Sequence, residues 1–242
     1  MGGVDLGISG RRAAVAAASG GLGFACAAAL AAEGARVTIC GSDEARAMDA
    51  AERIGAAFVV ADLTRPEEGT RFVEEAGRLM GGVDILVTNG PGPAPGTALE
   101  TPAEAYPAAL ERSLLAVVHM CLAAMPAMRA SGWGRIVAIT SLGVRQPYPN
   151  LVLSNTARAG VTGFLKTLAT ESAADGVTVN SVLPGFHDTA RLRSMNDGGL
   201  PDVPVGSADD FGAVVAFLCS RQAGFLTGTA VPVDGGAHRA LL

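Results

Sequence analysis

Seven consecutive residues, Ala17-Ala18-Ser19-Gly20-Gly21-Leu22-Gly23, join an apolar run to a helical pattern. The glycines let main chain approach a ligand closely. The helix start adds unpaired N–H groups and the positive end of the helix dipole, the surroundings that a pyrophosphate needs. Glycines also close strands in ordinary turns, so the turn alone leaves both readings open. Its position after the first strand run favours a dinucleotide site. Asp62, in Val60-Ala61-Asp62-Leu63-Thr64, favours it too, because a carboxylate there can accept from an adenine amino group. Metal chemistry has little support: Cys26, Cys40, Cys121 and Cys219 are scattered without CxxC spacing, which makes them reduced core thiols and gives no zinc site.

The elements that must position these groups are short apolar runs at residues 13–17, 36–40, 57–60, 85–88, 135–140, 177–183 and 230–233, alternating with helical patterns such as 22–33 and 151–174. Such alternation predicts βαβ units and an α/β fold with a doubly wound parallel sheet. The runs are apolar at nearly every position, as strands covered on both faces are. No linker or repeat interrupts them, so one domain over residues 1–242 is expected. Loop-rich segments at 90–96 and 184–206 follow strands at their carboxyl ends, the edge where open α/β sheets bind ligands.

Composition narrows the partners. Hydrophobic residues make up 49% and charged residues 17%, which excludes disorder. The apolar runs fall short of the ~18 residues of a membrane span. With 23 acidic and 18 basic residues, a net charge of −5 and no basic cluster, the chain fits a small metabolite rather than nucleic acid. The first residues, MGGVDLGISGRR, lack both a basic start and an apolar signal core, and the expectation is a cytoplasmic protein.

Ser19-Gly20-Gly21-Leu22-Gly23, Val60-Ala61-Asp62-Leu63, Leu86-Val87-Thr88-Asn89-Gly90, the segment Gly134-Arg135-Ile136-Val137 running on to Ser141, Val179-Asn180-Ser181-Val182-Leu183-Pro184-Gly185, Thr227-Gly228 and Val233-Asp234-Gly235-Gly236 occur in the order and spacing of a known family. Over residues 8–240 the chain resembles the short-chain dehydrogenases/reductases, especially the 3-oxoacyl-carrier-protein reductase type. The resemblance implies a seven-stranded Rossmann sheet, a nicotinamide dinucleotide over its carboxyl edge, and usually a homotetramer, with a homodimer as the smaller alternative. It implies cofactor contacts from Ser19, Gly21, Leu22, Gly23, Ser42, Asp62, Leu63, Asn89, Gly90, Arg158, Pro184, Gly185 and Thr189. Apolar residues in excess of one sheet face at 113–128 and 151–174 agree with an assembly.

The chemistry departs from the family pattern. Family members carry Asn, Ser, Tyr and Lys, the last two as YxxxK. Neither Tyr106 nor Tyr148 is followed by such a lysine, and the one lysine, Lys166, lies further along. The matching positions hold Ser141, Ser154 and Arg158, with Ser113 at the asparagine position. Ser154 and Arg158, at i and i+4, share a helix face. Arg158 can bind ribose hydroxyls through its forked donors, but an ordinary guanidinium does not relay protons. Tyr148 and His187 are alternative proton donors, each with a packing role as the other possibility. Ala17, replacing the first glycine of the turn, is tolerated only at negative φ without strain. The absence of an acid at Gly41 leans the choice between NADP and NAD towards NADP. Three functions follow: a reductase or dehydrogenase on a small carbonyl or alcohol, a non-redox cyclase, isomerase or dehydratase, and a silent binding protein.

Overall fold

The structure, a computed structural model, describes residues 4–239. Seven strands form one sheet: β1 (Arg12–Val15), β2 (Arg36–Gly41), β3 (Ala57–Val60), β4 (Ile85–Thr88), β5 (Gly134–Ile139), β6 (Val177–Pro184) and β7 (Ala230–Val233). Their order is β3-β2-β1-β4-β5-β6-β7, and every pairing is parallel. After β3 the chain crosses back to place β4 beside β1, so the order reverses between those two strands. Ligands of doubly wound sheets bind outside the carboxyl ends at that point.

Helices cover both faces. On one, α3 (Pro66–Met80), α5 (Ala116–Ser131) and α6 (Val152–Ser172) bury Phe72, Met120, Met128, Val161 and Leu165. On the other, α1 (Gly21–Ala32), α2 (Glu44–Ile54) and α8 (Ala208–Leu218) bury Cys26, Leu30, Phe211 and Val215. Local sequence sets the ends of these helices. Asp43 caps α2 by accepting from the Arg46 N–H at 2.8 Å, Gly55 ends it in the left-handed region at φ 65°, and Pro66 opens α3, where its missing N–H costs nothing.

Two expectations need correction. Short α4 (Ala105–Leu110), a π-helical turn at Glu111–Leu115 and α5 join into a helical run of 27 residues that contains an 18-residue stretch of mean hydropathy 1.5, long and apolar enough to cross a membrane. In the sequence, Glu111, Arg112 and Pro126 interrupt the apolar pattern and divide the run into shorter pieces. Here Val117, Met120, Cys121 and Ala124 are buried with the sheet, so the run serves as a core helix. The first strand also stops at Val15 instead of reaching residue 17, because Ala17 adopts φ 47° and leaves the extended conformation.

Candidate active site

The carboxyl ends of the strands form the floor of a cleft of about 570 Å³. One end, over β2 and β3, is lined by Gly41, Ser42, Arg46, Asp62 and Leu63. Asp62 Oδ1 accepts from the Thr64 N–H at 3.1 Å and the Thr64 hydroxyl at 2.8 Å; these bonds hold its carboxyl below the usual range. Its second oxygen has no partner among the described residues and stays free for a donor. A Cβ at Gly41 would stand 3.0 Å from Ser19 Oγ and 3.1 Å from Ser19 Cβ, so a side chain there would push Ser19 aside by a few tenths of an ångström.

The glycine turn occupies the middle. Ser19, Gly21 and Leu22 line the cleft with Asn89 and Gly90, and no side chain caps the first N–H groups of α1. Ala17 takes φ 47°, so the negative φ that would have spared it strain is not realised. An alanine in the left-handed region costs about 1–2 kcal/mol. Asn89 Nδ2 donates to the Ala17 carbonyl at 3.3 Å and pins the strained turn. Gly23, expected at the cofactor, does not line the cleft. A Cβ there would overlap the Ala17 carbonyl and stand 3.0 Å from Asn89 Nδ2, so its glycine is needed for packing beneath the turn.

At the far end, over β5 and β6, Ser141, Tyr148, Ser154 and Arg158 come together with Pro184, Gly185, His187 and Thr189. Ser141 follows β5 and accepts from the Gly143 N–H at 3.0 Å. Ser154 and Arg158 project from successive turns of α6. Arg158 Nη1 donates to the Ile139 carbonyl at 2.8 Å. Burial, aided by the charge of Arg191, pushes the Arg158 guanidinium down to about 10. It stays cationic at neutral pH.

The two alternative proton donors differ in surroundings. The main chain of Tyr148 is clamped by Asn155, whose Nδ2 donates to the Tyr148 carbonyl at 2.8 Å. Tyr148 and Ser141 flank Gly143: a Cβ on that glycine would stand 3.2 Å from Ser141 Oγ and 3.4 Å from Tyr148 Cδ2. Burial, then the carboxylate of Asp234, raises the Tyr148 phenol, so it keeps its proton. His187 lines the cleft but is only 6% exposed. Its Nδ1 lies 3.2 Å from the Gly185 carbonyl and its ring meets Phe211 edge-on at 5.1 Å. Burial lowers its pKa, which keeps the imidazole neutral and suits it to anchoring its loop. Ser113, expected at the site, is buried in the π-helical turn; its hydroxyl has no partner among the described residues and is not among the groups lining the cleft.

The loop of residues 184–206 borders the site, and its first part, up to Met195, lines the cleft. The loop is clipped at its base, where Asp188 N–H donates to the Gly206 carbonyl and Gly206 N–H to the Phe186 carbonyl. It carries the five-residue helix α7 (Ala190–Ser194), capped by Thr189, back towards Gly21. Two charged cleft residues, Arg46 and Arg191, are not among the sequence-based expectations. Arg46 lies four positions beyond Ser42, in the first turn of α2 rather than at the strand end. Its sequence signal was a basic side chain one helical turn past the strand. Arg191 stands in a loop whose course sequence does not specify.

A doubly wound parallel sheet with a glycine turn at its switch point and a serine, tyrosine and arginine cluster beyond it defines a nucleotide-binding α/β protein of the Rossmann type. The family model described as Enoyl-(Acyl carrier protein) reductase matches residues 16–238, and the chain belongs to the short-chain dehydrogenase/reductase family. It is 33% identical to 3-oxoacyl-(acyl-carrier-protein) reductase FabG of Escherichia coli, covering 96% of this chain and 99% of that protein. It is 32% identical to Dehydrogenase/reductase SDR family member 4 of Bos taurus, over 93% and 86% of the two chains. Among solved structures, L-sorbose reductase from Gluconobacter frateurii, complexed with NADPH and L-sorbose, superimposes with a TM-score of 0.89 at 30% identity, covering 98% of this chain and 100% of that one.

Proposed function

We propose that the protein is an NADPH-dependent reductase of a small carbonyl compound, reversible as an alcohol dehydrogenase, in which Ser154 and Arg158 stand where the family carries tyrosine and lysine. The observation that carries this reading is the convergence of Ser141, Ser154, Arg158 and Tyr148 at one end of a cleft whose other end is a dinucleotide cradle. The cradle fits such a cofactor in its own geometry: bare backbone at Gly20 and Gly21, side-chain-free space at Gly41, and an unpaired oxygen on Asp62. When bound, the nicotinamide supplies a hydride.

The residues of the chain have separable tasks. Ser141 holds the substrate oxygen through its hydroxyl. Arg158, cationic and buried, stabilises negative charge growing on that oxygen in a site of low dielectric, and its remaining N–H groups can bind ribose hydroxyls. Tyr148, protonated and beside Ser141, is the proton donor, with Ser154 as the hydroxyl linking that oxygen to Arg158. Arg46 would receive a 2′-phosphate at the adenine end, which deepens the preference for NADP.

The test is hydride transfer from NADPH to a panel of small ketones, followed by loss of NADPH absorbance. Turnover is expected. Product formation from any substrate after all nicotinamide is removed would overturn the reading in favour of non-redox chemistry, and tight cofactor binding with no turnover would favour a binding protein. Arg46→Ala is expected to raise the Kd for NADPH about 10-fold or more while leaving that for NADH nearly unchanged, as fluorescence titration would show.

A further inference from the structure

Two guanidiniums line the substrate end of the cleft without an ion pair among the described residues, and the nearby Asp234 carboxylate, which accepts from the Gly236 and His238 N–H groups, does not line it. Arg158 spends one N–H on the Ile139 carbonyl, and no carboxylate approaches it among the described residues. Arg191, on α7, lines the same cleft and reaches the backbone of the loop after β4. A Cβ at Gly92 would stand 2.6 Å from Arg191 Nη2, so the guanidinium lies directly on that glycine. Its side chain has neither a hydrogen bond nor an ion pair among the described residues. Arg193, two positions further on, shows what an ordinary arginine of this loop does: it forks onto Asp188 at 2.8 and 2.7 Å, outside the cleft. Among the described residues the one carboxylate that lines the cleft is Asp62, at the far adenine end.

Two unpaired guanidiniums facing one cavity repel each other, and each loses hydration as the cavity closes. Their proximity is felt, since the charge of Arg191 helps to depress Arg158. An anion bridging them removes the repulsion and satisfies the forked donors. Resting on the reductase reading above, we infer that the substrate is a carbonyl compound bearing an anionic group, a carboxylate or a phosphate, which Arg191 receives jointly with Arg158. Ser141 then selects the carbonyl oxygen, while Arg191 selects the charge at a second point on the same molecule.

The competing source of anionic oxygens is the cofactor's own pyrophosphate, and the experiment separates the two. Reduction of acetoacetate is compared with that of methyl acetoacetate, and of dihydroxyacetone phosphate with dihydroxyacetone. In parallel, butanoate, butanamide and inorganic phosphate are titrated calorimetrically into the protein loaded with NADP⁺. The charged member of at least one ketone pair is expected to be favoured about 10-fold or more in kcat/KM, and butanoate or phosphate to bind where butanamide does not. Arg191→Gln is expected to collapse both preferences by about 10-fold, Arg191→Lys to restore part of them, and neither to shift the Kd for NADPH more than about threefold.

Equal use of charged and neutral ketones would overturn the inference and leave the reductase reading standing. Anion binding that depends on Arg191, with no ketone reduced, would overturn the reductase reading and keep the anion site. Loss of NADPH affinity in Arg191→Gln with unchanged selectivity would assign the arginine to the pyrophosphate and overturn the inference.

Discussion

Ala17 concentrates the local cost of this site in one residue. Held at φ 47° by Asn89, it keeps the turn in a shape that suits glycine. Ala17→Gly is expected to stabilise the protein by about 1 kcal/mol, the relief of the left-handed conformation less the added entropy of glycine in the unfolded chain. Urea denaturation would measure it. The proposed donor is testable in the same way. Tyr148→Phe is expected to lower kcat about 100-fold with little change in the Kd for NADPH. Because burial and Asp234 raise the phenol, the wild-type rate should stay flat through neutral pH and fall only on the alkaline side, where the donor loses its proton. A variant with the wild-type rate would return the proton to another group.

Among the elements, β1 and β4 matter most, because the switch point lies between them. The two strands are tied at their amino ends by Arg12 and Asp84, with Nε to Oδ2 at 2.8 Å and Nη2 to Oδ1 at 2.6 Å. Burial by itself would raise the Asp84 carboxyl, but bonds from the Arg12 side chain and N–H outweigh it and leave the group depressed. A carboxyl depressed in the folded state adds stability above its unfolded pKa of about 4, and that contribution is lost as pH falls through the folded value. Asp84→Asn is therefore expected to cost about 2 kcal/mol at neutral pH and progressively less below about pH 4, as denaturation across that range would report. Element placement was largely legible in the sequence, because each strand is apolar at most of its positions. The π-helical turn was not, since its extra residue leaves the local pattern of Glu111–Leu115 unchanged while burying Ser113 away from the cleft.

For the whole molecule, the face of the long helical run that is turned from the sheet leaves Leu115 and Leu122 40% and 53% exposed. We propose that this surface packs against another copy in a homotetramer or homodimer; light scattering should give a multiple of the chain mass, and a monomer would remove the proposal. Periodicity alone determined the parallel α/β architecture, and motif order determined the family, because both depend on residue type and spacing along the chain. Tertiary structure decided which polar groups meet. It placed Arg46 and Arg191 in the cleft, withdrew Ser113 and Gly23 from it, and locked His187 against Phe211. The physical reason is that a site is assembled from chain segments far apart in sequence, and side-chain direction, burial and unpaired charge are set only when those segments pack.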